Sequence, residues 1–370
     1  MDIPFKLISA DSHVVEPPDL WTQRIDRAYL DRAPKIIRED ETDVFVCPGA
    51  AIEKMGIGFT SAALKPAEEI SVNERWENIY PGAWDPSERL KDMEADGIEA
   101  EVLYTSFGLR MFTLTDPGFQ LACFQAFNDW MADFCRTYPT RLFGVGMIPI
   151  RPADEASREM RRIKERGLRA AMISVLPDQE AGYADPIYDG IWSTAEELDL
   201  PISLHLAGTK SSFALTSNSL VNFSLGFTPA MYSVATMIFS GLFDRHPKLQ
   251  VATVENDAGW AAIMMERMDF RYDRDRFWAA QSNGITSGRR PSQQFREHVH
   301  CSFMRDHTAV RNREYIGLGN IMWSSDFPHQ DSSFPNSVKS VTEHFEGVPL
   351  EDQRKIAREN AVEFYKLSLD

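Results

Sequence analysis

Cysteine is scarce in this chain. The four cysteines are Cys47, Cys123, Cys135 and Cys301, and no two have the CxxC spacing of a zinc or redox motif. A disulfide-stabilised scaffold is far richer in cysteine than this chain of 370 residues. We therefore interpret all four as free thiols, buried or partly buried, in a reducing compartment.

Long apolar runs are absent as well. A transmembrane helix needs ~18–20 consecutive apolar residues, and no segment of the chain approaches that length. The first residues read MDIPFKLISADSH, with charged and polar side chains where a secretory signal peptide has its apolar core. We expect a cytoplasmic protein with no membrane partner.

Positive charge is in deficit, since 39 Lys and Arg residues face 55 Asp and Glu residues and the formal net charge is −16. A nucleic-acid surface needs clustered Lys and Arg, so we expect no nucleic-acid partner. An anionic substrate would be repelled by this overall negative charge, so its site would need a local cation, either a metal ion or an arginine. The GxGxxG and P-loop fingerprints are missing, which argues against a nucleotide cofactor.

What the chain does contain is a series of eight short apolar segments. They occupy residues 7–12, 100–106, 142–150, 170–176, 202–206, 250–255, 298–303 and 321–326. Most are rich in Val, Ile or Leu without regular alternation, which is typical of parallel strands buried on both faces. Helical patterns separate most of them, including residues 86–96 and 230–245. This alternation predicts an α/β fold, a single (β/α)8 TIM-barrel domain over residues 1–370.

The chain is longer than a bare barrel of ~250 residues. We assign the excess to insertions after the first, fifth and sixth strands, at about residues 21–85, 207–229 and 269–296. Each follows the C-terminal end of a strand, where barrel enzymes place their active-site loops. We expect cap, lid or interface elements there rather than separate domains.

Side chains suited to a metal ion stand at the ends of three predicted strands. Asp11 and His13 close the first strand, and their spacing of two places both on one face. His205 lies near the end of the fifth strand and Asp326 ends the eighth. Each could instead be a cap, a hydrogen-bonded partner or a core histidine. Their coincidence at one barrel rim favours a single divalent ion, zinc or manganese, over metals that prefer thiolate.

Three segments resemble one protein family. The opening ADSHVVEPPDLW, the LHLAGT segment and the closing WSSDFPHQDSSFPNS are similar to the amidohydrolase-2 branch of the amidohydrolase superfamily. That branch contains the metal-dependent decarboxylases similar to aminocarboxymuconate-semialdehyde decarboxylase and the resorcylate decarboxylases. The resemblance runs from Asp11 to the C-terminal helix. It implies a (β/α)8 barrel, one catalytic divalent metal ion, and a homodimer or larger homo-oligomer such as a homotetramer.

The resemblance also implies roles for single residues. Asp11 and His13 match the first-strand ligand pair, although many members have His or Glu where this chain has Asp11. His205 and Asp326 match the ligands on the fifth and eighth strands. Many members carry a histidine on the sixth strand, where this chain reads VATVENDAGW and Glu255 stands instead. Glu255 is either a base, a ligand or an orienting group, or the partner of an arginine in an ion pair.

Two further residues are weaker candidates. His329 follows Asp326 by three residues and either faces the substrate or caps the next loop. Arg267 resembles a position where some related decarboxylases hold a substrate carboxylate, and the alternative is a solvated charge on a helix. Our catalytic set is therefore Asp326, His205, Glu255 and His329, with Arg267 as the substrate-binding residue.

The favoured function is non-oxidative decarboxylation of a small aromatic or conjugated carboxylic acid. In this reaction Asp326 would protonate the ring or alkene carbon before CO₂ leaves. Metal-assisted hydrolysis by an activated water is an alternative, because it needs the same four ligands. A barrel that binds a small molecule without turnover is a second alternative, to which the missing sixth-strand histidine gives some weight.

Overall fold

The apolar segments form strands in the computed structural model, which describes residues 3–177, 182–206 and 218–369. In chain order, strands β1 to β12 are Leu7–Val14, Lys35–Glu39, Thr42–Val46, Lys54–Gly56, Ile98–Thr105, Leu142–Gly144, Gly146–Met147, Ala171–Ser174, Ile202–His205, Val251–Val254, Val299–Phe303 and Ile321–Trp323. The α-helices are Leu20–Arg24, Pro86–Asp96, Pro117–Arg136, Ala153–Glu165, Asp189–Leu198, Ser219–Ser224, Thr228–Phe239, Leu242–Arg245, Trp260–Asp275, Pro291–His298, His307–Arg311, Arg313–Ile316, Ser337–His344, Leu350–Arg354 and Asn360–Tyr365.

Nine of these strands run parallel and form the barrel wall, in the order β1-β5-β6 and then β7-β8-β9-β10-β11-β12. Strands β6 and β7 occupy one position in the wall and are separated only by Val145. The N–H of Val145 donates to Leu103 O on β5 at 3.0 Å, and the N–H of Gly146 donates to Ala170 O beside β8 at 3.0 Å. The interrupted strand therefore joins the two parts of the wall.

The barrel closes between its last and first strands. The N–H of Asp326 donates to Asp11 O at 3.0 Å, and the N–H of His13 donates to Phe327 O at 2.7 Å. These bonds complete a ring of eight strand positions and confirm the predicted (β/α)8 barrel. All eight predicted segments contribute a strand to the wall.

Burial on both faces explains the composition of the wall. All eight residues of β1 are buried, including the polar Ser9, Ser12 and His13. A buried hydroxyl needs a hydrogen-bond partner, and the Ser12 Oγ atom lies 2.9 Å from the Oγ atom of Ser9. The apolar side chains of β1 therefore pack in the core, and its buried serines form hydrogen bonds with each other.

The helix limits follow local chemistry. The helix Pro86–Asp96 has the predicted bounds: the Asp85 carboxylate accepts the first free N–H groups, and Gly97 ends the helix in the left-handed region at φ 75°. The single helix predicted at 230–245 is wrong, since Thr228–Phe239 and Leu242–Arg245 are separate. Gly241 lies between them at φ 69°, and a Cβ atom there would meet Gly284 O at 2.1 Å.

The three segments that we assigned as insertions differ in secondary structure. Within residues 21–85, strands β2, β3 and β4 form an antiparallel sheet outside the barrel wall. Of residues 207–229, positions 207–217 lie outside the described residues. The segment 269–296 starts inside the helix Trp260–Asp275 and ends inside Pro291–His298, so the connection between those helices is shorter than expected. That these segments are insertions within one domain stays a prediction.

All four cysteines are free and buried, as the sequence indicated. Burial raises the pKa of the Cys301 thiol to about 12, which keeps this thiol protonated and unreactive. Among the described helices, none has the length and apolar character needed to cross a lipid bilayer.

Candidate metal centre

The barrel brings together four side chains from three strands that are far apart in sequence. Asp11 and His13 come from β1, His205 ends β9, and Asp326 follows β12. The Nε2 atom of His13 lies 3.4 Å from Asp11 Oδ1 and 3.5 Å from Asp326 Oδ1. The Nε2 atom of His205 lies 3.7 Å from Asp11 Oδ1. All four residues are buried.

Hydrogen bonds to backbone carbonyls orient both imidazoles. The Nδ1 atom of His13 lies 2.8 Å from Thr105 O, and the Nδ1 atom of His205 lies 2.7 Å from Leu206 O. A carbonyl oxygen only accepts, so Nδ1 carries a proton in each ring, and in the neutral imidazole the lone pair is therefore on Nε2. Both lone pairs face the two carboxylates, as metal-binding imidazoles require.

The site contains buried polar atoms that lack hydrogen-bond partners within the described part of the chain. They are both Oδ atoms of Asp11, Nε2 of His13, Nε2 of His205 and Oδ1 of Asp326. Leaving such atoms unpaired is costly. Ligands ~2.1 Å from a divalent ion are ~3.0–3.5 Å from each other, close to the 3.4 to 3.7 Å found here. The donor set therefore fits one divalent metal ion.

Electrostatics support the same conclusion. Burial raises the pKa of Asp326 to about 8, and the charge of Asp11 adds to the rise against the opposing effect of His13. Burial lowers the pKa of His13 to about 4. Burial opposes a charged His205 too, but the negatively charged Asp11 carboxylate, 3.7 Å from His205 Nε2, raises the pKa of His205 to about 9. A divalent cation would supply the positive charge that these crowded carboxyl groups lack.

Two acidic residues at strand ends have a backbone conformation that favours glycine. Glu255 follows β10 at φ 60°, and Asp326 follows β12 at φ 54°. A residue other than glycine pays ~1–3 kcal/mol of backbone strain in this conformation, which is retained where the surrounding structure imposes it. Here they turn both carboxyl groups away from the strand direction and toward the mouth of the barrel.

Glu255 faces the two imidazoles. Its Oε2 atom lies 3.6 Å from His205 Nε2 and 4.0 Å from His13 Nε2. Within residues 3–177, 182–206 and 218–369, no arginine forms an ion pair with it, so the ion-pair interpretation finds no support there. The Glu255 side chain is 32% exposed, which leaves it accessible from the cavity above the site.

His329 contacts Asp326, Ser106 and His13 at the edge of the site. Its Nδ1 atom is 3.2 Å from Asp326 Oδ1, and its Nε2 atom is 3.0 Å from Ser106 Oγ. Its ring centroid is 4.0 Å from that of His13. Sequence reasoning missed Ser106, although this serine ends the second predicted strand and the same rule of strand ends applied to it.

A cavity of about 430 Å³ opens above these groups, which is within the range of small-molecule sites, ~300–1,000 Å³. Its apolar wall includes Met55, Phe59, Leu109, Leu206, Phe303 and Met304. Asp11, Glu255, Asp326 and His329 line it from below. The cavity therefore combines an apolar wall with a charged floor.

Arg267, the expected substrate-binding residue, does not line this cavity. It is exposed on the helix Trp260–Asp275, with its guanidinium 5.9 Å from the ring centroid of Phe270. The helix buries Met264, Met265 and Met268, whereas Arg267 lies at the edge of this face and is exposed. Arg110 and Arg305 are the arginines that line the cavity.

Fold and site together define a parallel (β/α)8 barrel with a mixed carboxylate and imidazole centre at the C-terminal ends of its strands. The family model Amidohydro_2, described as amidohydrolase, matches residues 71–367. The chain belongs to this amidohydrolase family.

The chain is also similar in sequence to curated proteins, and solved structures share its fold. Gamma-resorcylate decarboxylase of Rhizobium sp. (strain MTP-10005) is 25% identical over 293 residues, which are 75% of this chain and 86% of that protein. An amidohydrolase of Mycobacterium avium subsp. paratuberculosis has a TM-score of 0.79 at 20% identity, covering 98% of this chain and 99% of its own. A dihydroxybenzoic acid decarboxylase of Polaromonas sp., solved with manganese and 2-nitroresorcinol, has a TM-score of 0.69 at 18% identity, covering 98% and 97%.

We expect the purified protein to hold about one Mn²⁺ or Zn²⁺ per chain after reconstitution and dialysis. The His13→Ala, His205→Ala double variant should lose this metal, because it removes both nitrogen ligands. Plasma mass spectrometry measures the content. The control is His307→Ala, at an exposed position that begins the helix His307–Arg311, which should keep the wild-type metal content. A double variant that retains as much metal as the control would rule out this site.

Proposed function

We propose that this chain is a metal-dependent decarboxylase that removes CO₂, without oxidation, from an aromatic or conjugated carboxylic acid. The observation that carries the proposal is a set of buried atoms that lack hydrogen-bond partners among the described residues. They belong to Asp11, His13, His205 and Asp326 and lie beneath a partly apolar cavity. The relatives named for resorcylate and dihydroxybenzoate decarboxylation support this substrate class.

The proposed metal ligands are Asp11, His13, His205 and Asp326, and the proposed ion is manganese or zinc. Two carboxylates make the donor set harder than a three-histidine zinc site, which favours manganese. The manganese in the Polaromonas structure supports the same choice. When bound, the ion supplies Lewis acidity toward a substrate carboxylate or phenolate oxygen.

Asp326 is the proposed proton donor. Its carboxyl group lines the cavity floor and would protonate the ring carbon that bears the substrate carboxylate. The bond to the carboxylate then breaks, CO₂ leaves, and its bonding electron pair restores the aromatic ring. His329 and Ser106 connect Asp326 to the cavity through contacts of 3.2 and 3.0 Å, a route along which Asp326 regains its proton.

Hydrolysis is the second candidate, and the position of Glu255 favours it. A carboxylate 3.6 Å from His205 Nε2 is placed to accept a proton from an attacking water. In the decarboxylase the same carboxylate would orient the substrate instead. The two functions differ in one requirement, since only the decarboxylase needs a substrate that carries a carboxylate.

We expect CO₂ release from a panel of hydroxybenzoic acids with the manganese-loaded protein and no hydrolysis of the matching methyl esters and anilides. Asp326→Asn should lower kcat by on the order of 10²–10⁴-fold, because it removes the proton donor. Asp331→Asn is the control, since Asp331 is exposed and also lines the cavity, and it should retain most activity. Wild-type turnover by Asp326→Asn would refute the assignment, and ester or anilide hydrolysis without CO₂ release would favour the hydrolase.

Arg110 is the cation that we propose holds an anionic group of the substrate, the role expected of Arg267. It lies in the helical turn Gly108–Thr113 directly after β5 and lines the cavity. Its Nε atom donates to Met55 Sδ at 3.3 Å. Burial lowers the pKa of Arg110, but a guanidinium keeps its charge at neutral pH.

The Arg110→Met variant should raise KM for the acid by ~10–100-fold, because a hydrogen bond to a charged group contributes ~1.5–3 kcal/mol. Steady-state kinetics measure the effect, and kcat should change little if Arg110 only binds the substrate. Arg305→Met is the matched control, since Arg305 lines the same cavity and is exposed. An unchanged KM in Arg110→Met would show that another group binds the anion.

We also propose a homo-oligomer, a dimer or a tetramer, formed through the outer surface of the helix Trp260–Asp275 and the residues that follow it. Ile263, Phe270, Phe277 and Trp278 are exposed by 55%, 53%, 77% and 74%. Clustered exposed apolar side chains are typical of protein interfaces. The helix carries adjacent charges of both signs, Glu266 and Arg267 among them, so a second antiparallel copy of the helix would be complementary to it.

Analytical ultracentrifugation should show the wild type as a dimer or a tetramer. The double variant Phe277→Glu, Trp278→Glu should shift it toward the monomer, because like charges would then face each other across the two-fold axis. Leu350→Glu is the control, at a position that is 50% exposed and outside this surface. An unchanged sedimentation coefficient for the double variant would exclude this surface as the interface.

A further inference from the structure

A buried ion pair lies behind the metal centre, on the side away from the cavity. Arg89, on the helix Pro86–Asp96, is completely buried, and Glu101 on β5 is 1% exposed. The Nε atom of Arg89 donates to Glu101 Oε2 at 2.5 Å. Burial of an ion pair adds little stability by itself, since desolvation offsets the attraction, so the other contacts of the pair decide what it does.

The guanidinium of Arg89 bridges the two backbone segments that carry metal ligands. Its Nη1 atom donates to the carbonyl oxygen of His13 at 2.7 Å, and its Nη2 atom donates to that of Phe327 at 3.4 Å. The first of these residues is itself a proposed ligand, and the second directly follows Asp326. The planar fork of arginine reaches both carbonyls at once, which a lysine cannot do.

The second oxygen of Glu101 reaches the same two segments through serines. Ser12 Oγ donates to Glu101 Oε1 at 3.1 Å and lies 3.0 Å from Ser325 Oγ. Ser12 stands between Asp11 and His13, and Ser325 directly precedes Asp326. Each ligand segment is therefore held both by Arg89 and by a serine linked to Glu101.

Strand β1 stays paired with β5 as far as Val14, but among the described residues no regular strand pairing joins the first strand to the last. Strand β12 ends at Trp323, and Asp326 has a φ of 54°, which no strand adopts. Beyond that point the first and last segments share the backbone bonds made by Asp326 and His13. The side-chain contacts of Arg89 and Ser12 add to these two backbone bonds between the first and last segments.

We propose that Arg89, oriented by Glu101, is a positioning residue that sets the 3.5 Å separation of His13 Nε2 and Asp326 Oδ1 and thereby the metal affinity. This inference rests on the metal centre of the proposed function. Groups that orient metal ligands change metal affinity by ~10–100-fold when they are altered, and Arg89 acts on the backbone of two ligand segments.

The test is the Arg89→Met, Glu101→Gln double variant, which removes both charges and so leaves no uncompensated charge in the core. It should unfold at a temperature close to that of the wild type and bind Mn²⁺ ~10–100-fold more weakly in competition with a chelator. The matched control is Arg162→Met, Glu159→Gln. That pair has two contacts, at 2.7 and 2.8 Å, and Glu159 is 1% exposed. Neither of its residues lines the cavity, so the control should keep wild-type Mn²⁺ affinity.

The Arg89→Lys variant provides a second measurement should the double variant fail to fold. It keeps the positive charge beside Glu101, but a single ammonium group cannot reproduce both guanidinium hydrogen bonds, to His13 O and to Phe327 O. It should bind Mn²⁺ more weakly than the wild type, and its Co²⁺-loaded form should show a shifted visible spectrum. Wild-type affinity in a folded double variant, or in folded Arg89→Lys when the double variant does not fold, would overturn the inference. If the wild type itself bound no Mn²⁺, the proposed function would fail with it.

Discussion

The structure depends on one electrostatic constraint, the burial of two carboxylates and two imidazoles with their ligand atoms facing each other. Asp11, His13, His205 and Asp326 present atoms without hydrogen-bond partners in the part of the chain that is described. Unpaired charge in a low-dielectric site is costly, and a divalent cation relieves that cost. Hydrogen bonds from the Nδ1 atoms of both histidines to backbone carbonyls orient the two imidazoles toward these carboxylates.

Barrel closure and site assembly use the same bonds. The N–H of Asp326 bonds to the carbonyl of Asp11, and the N–H of His13 bonds to the carbonyl of Phe327. These are the contacts that join the last strand to the first. The geometry of the centre is therefore coupled to closure of the fold, because the bonds that join the last strand to the first also fix the backbone that carries Asp11, His13 and Asp326.

Much of the fold was predictable because it depends on local patterns. Short apolar segments separated by helices predicted all eight strand positions, and parallel strands bring their C-terminal ends to one rim. Arg267 shows where local patterns fail: the sequence places it on a helix, but only packing showed that its side chain faces outward. The break at Gly241 was missed for a related reason, since the close approach of Gly284 that requires a glycine is a tertiary contact.

The sequence by itself determined the fold class, the convergence of the four candidate metal ligands, and the burial of the free cysteines. Strand-end position and residue chemistry were enough for these, because both are properties of short segments. Only the tertiary structure decided that Glu255 faces the imidazoles, that Arg110 lines the cavity, and that Arg89 contacts both ligand segments. Arg89 and Phe327 are 238 positions apart, and no local pattern records a contact that exists only after the chain has closed on itself.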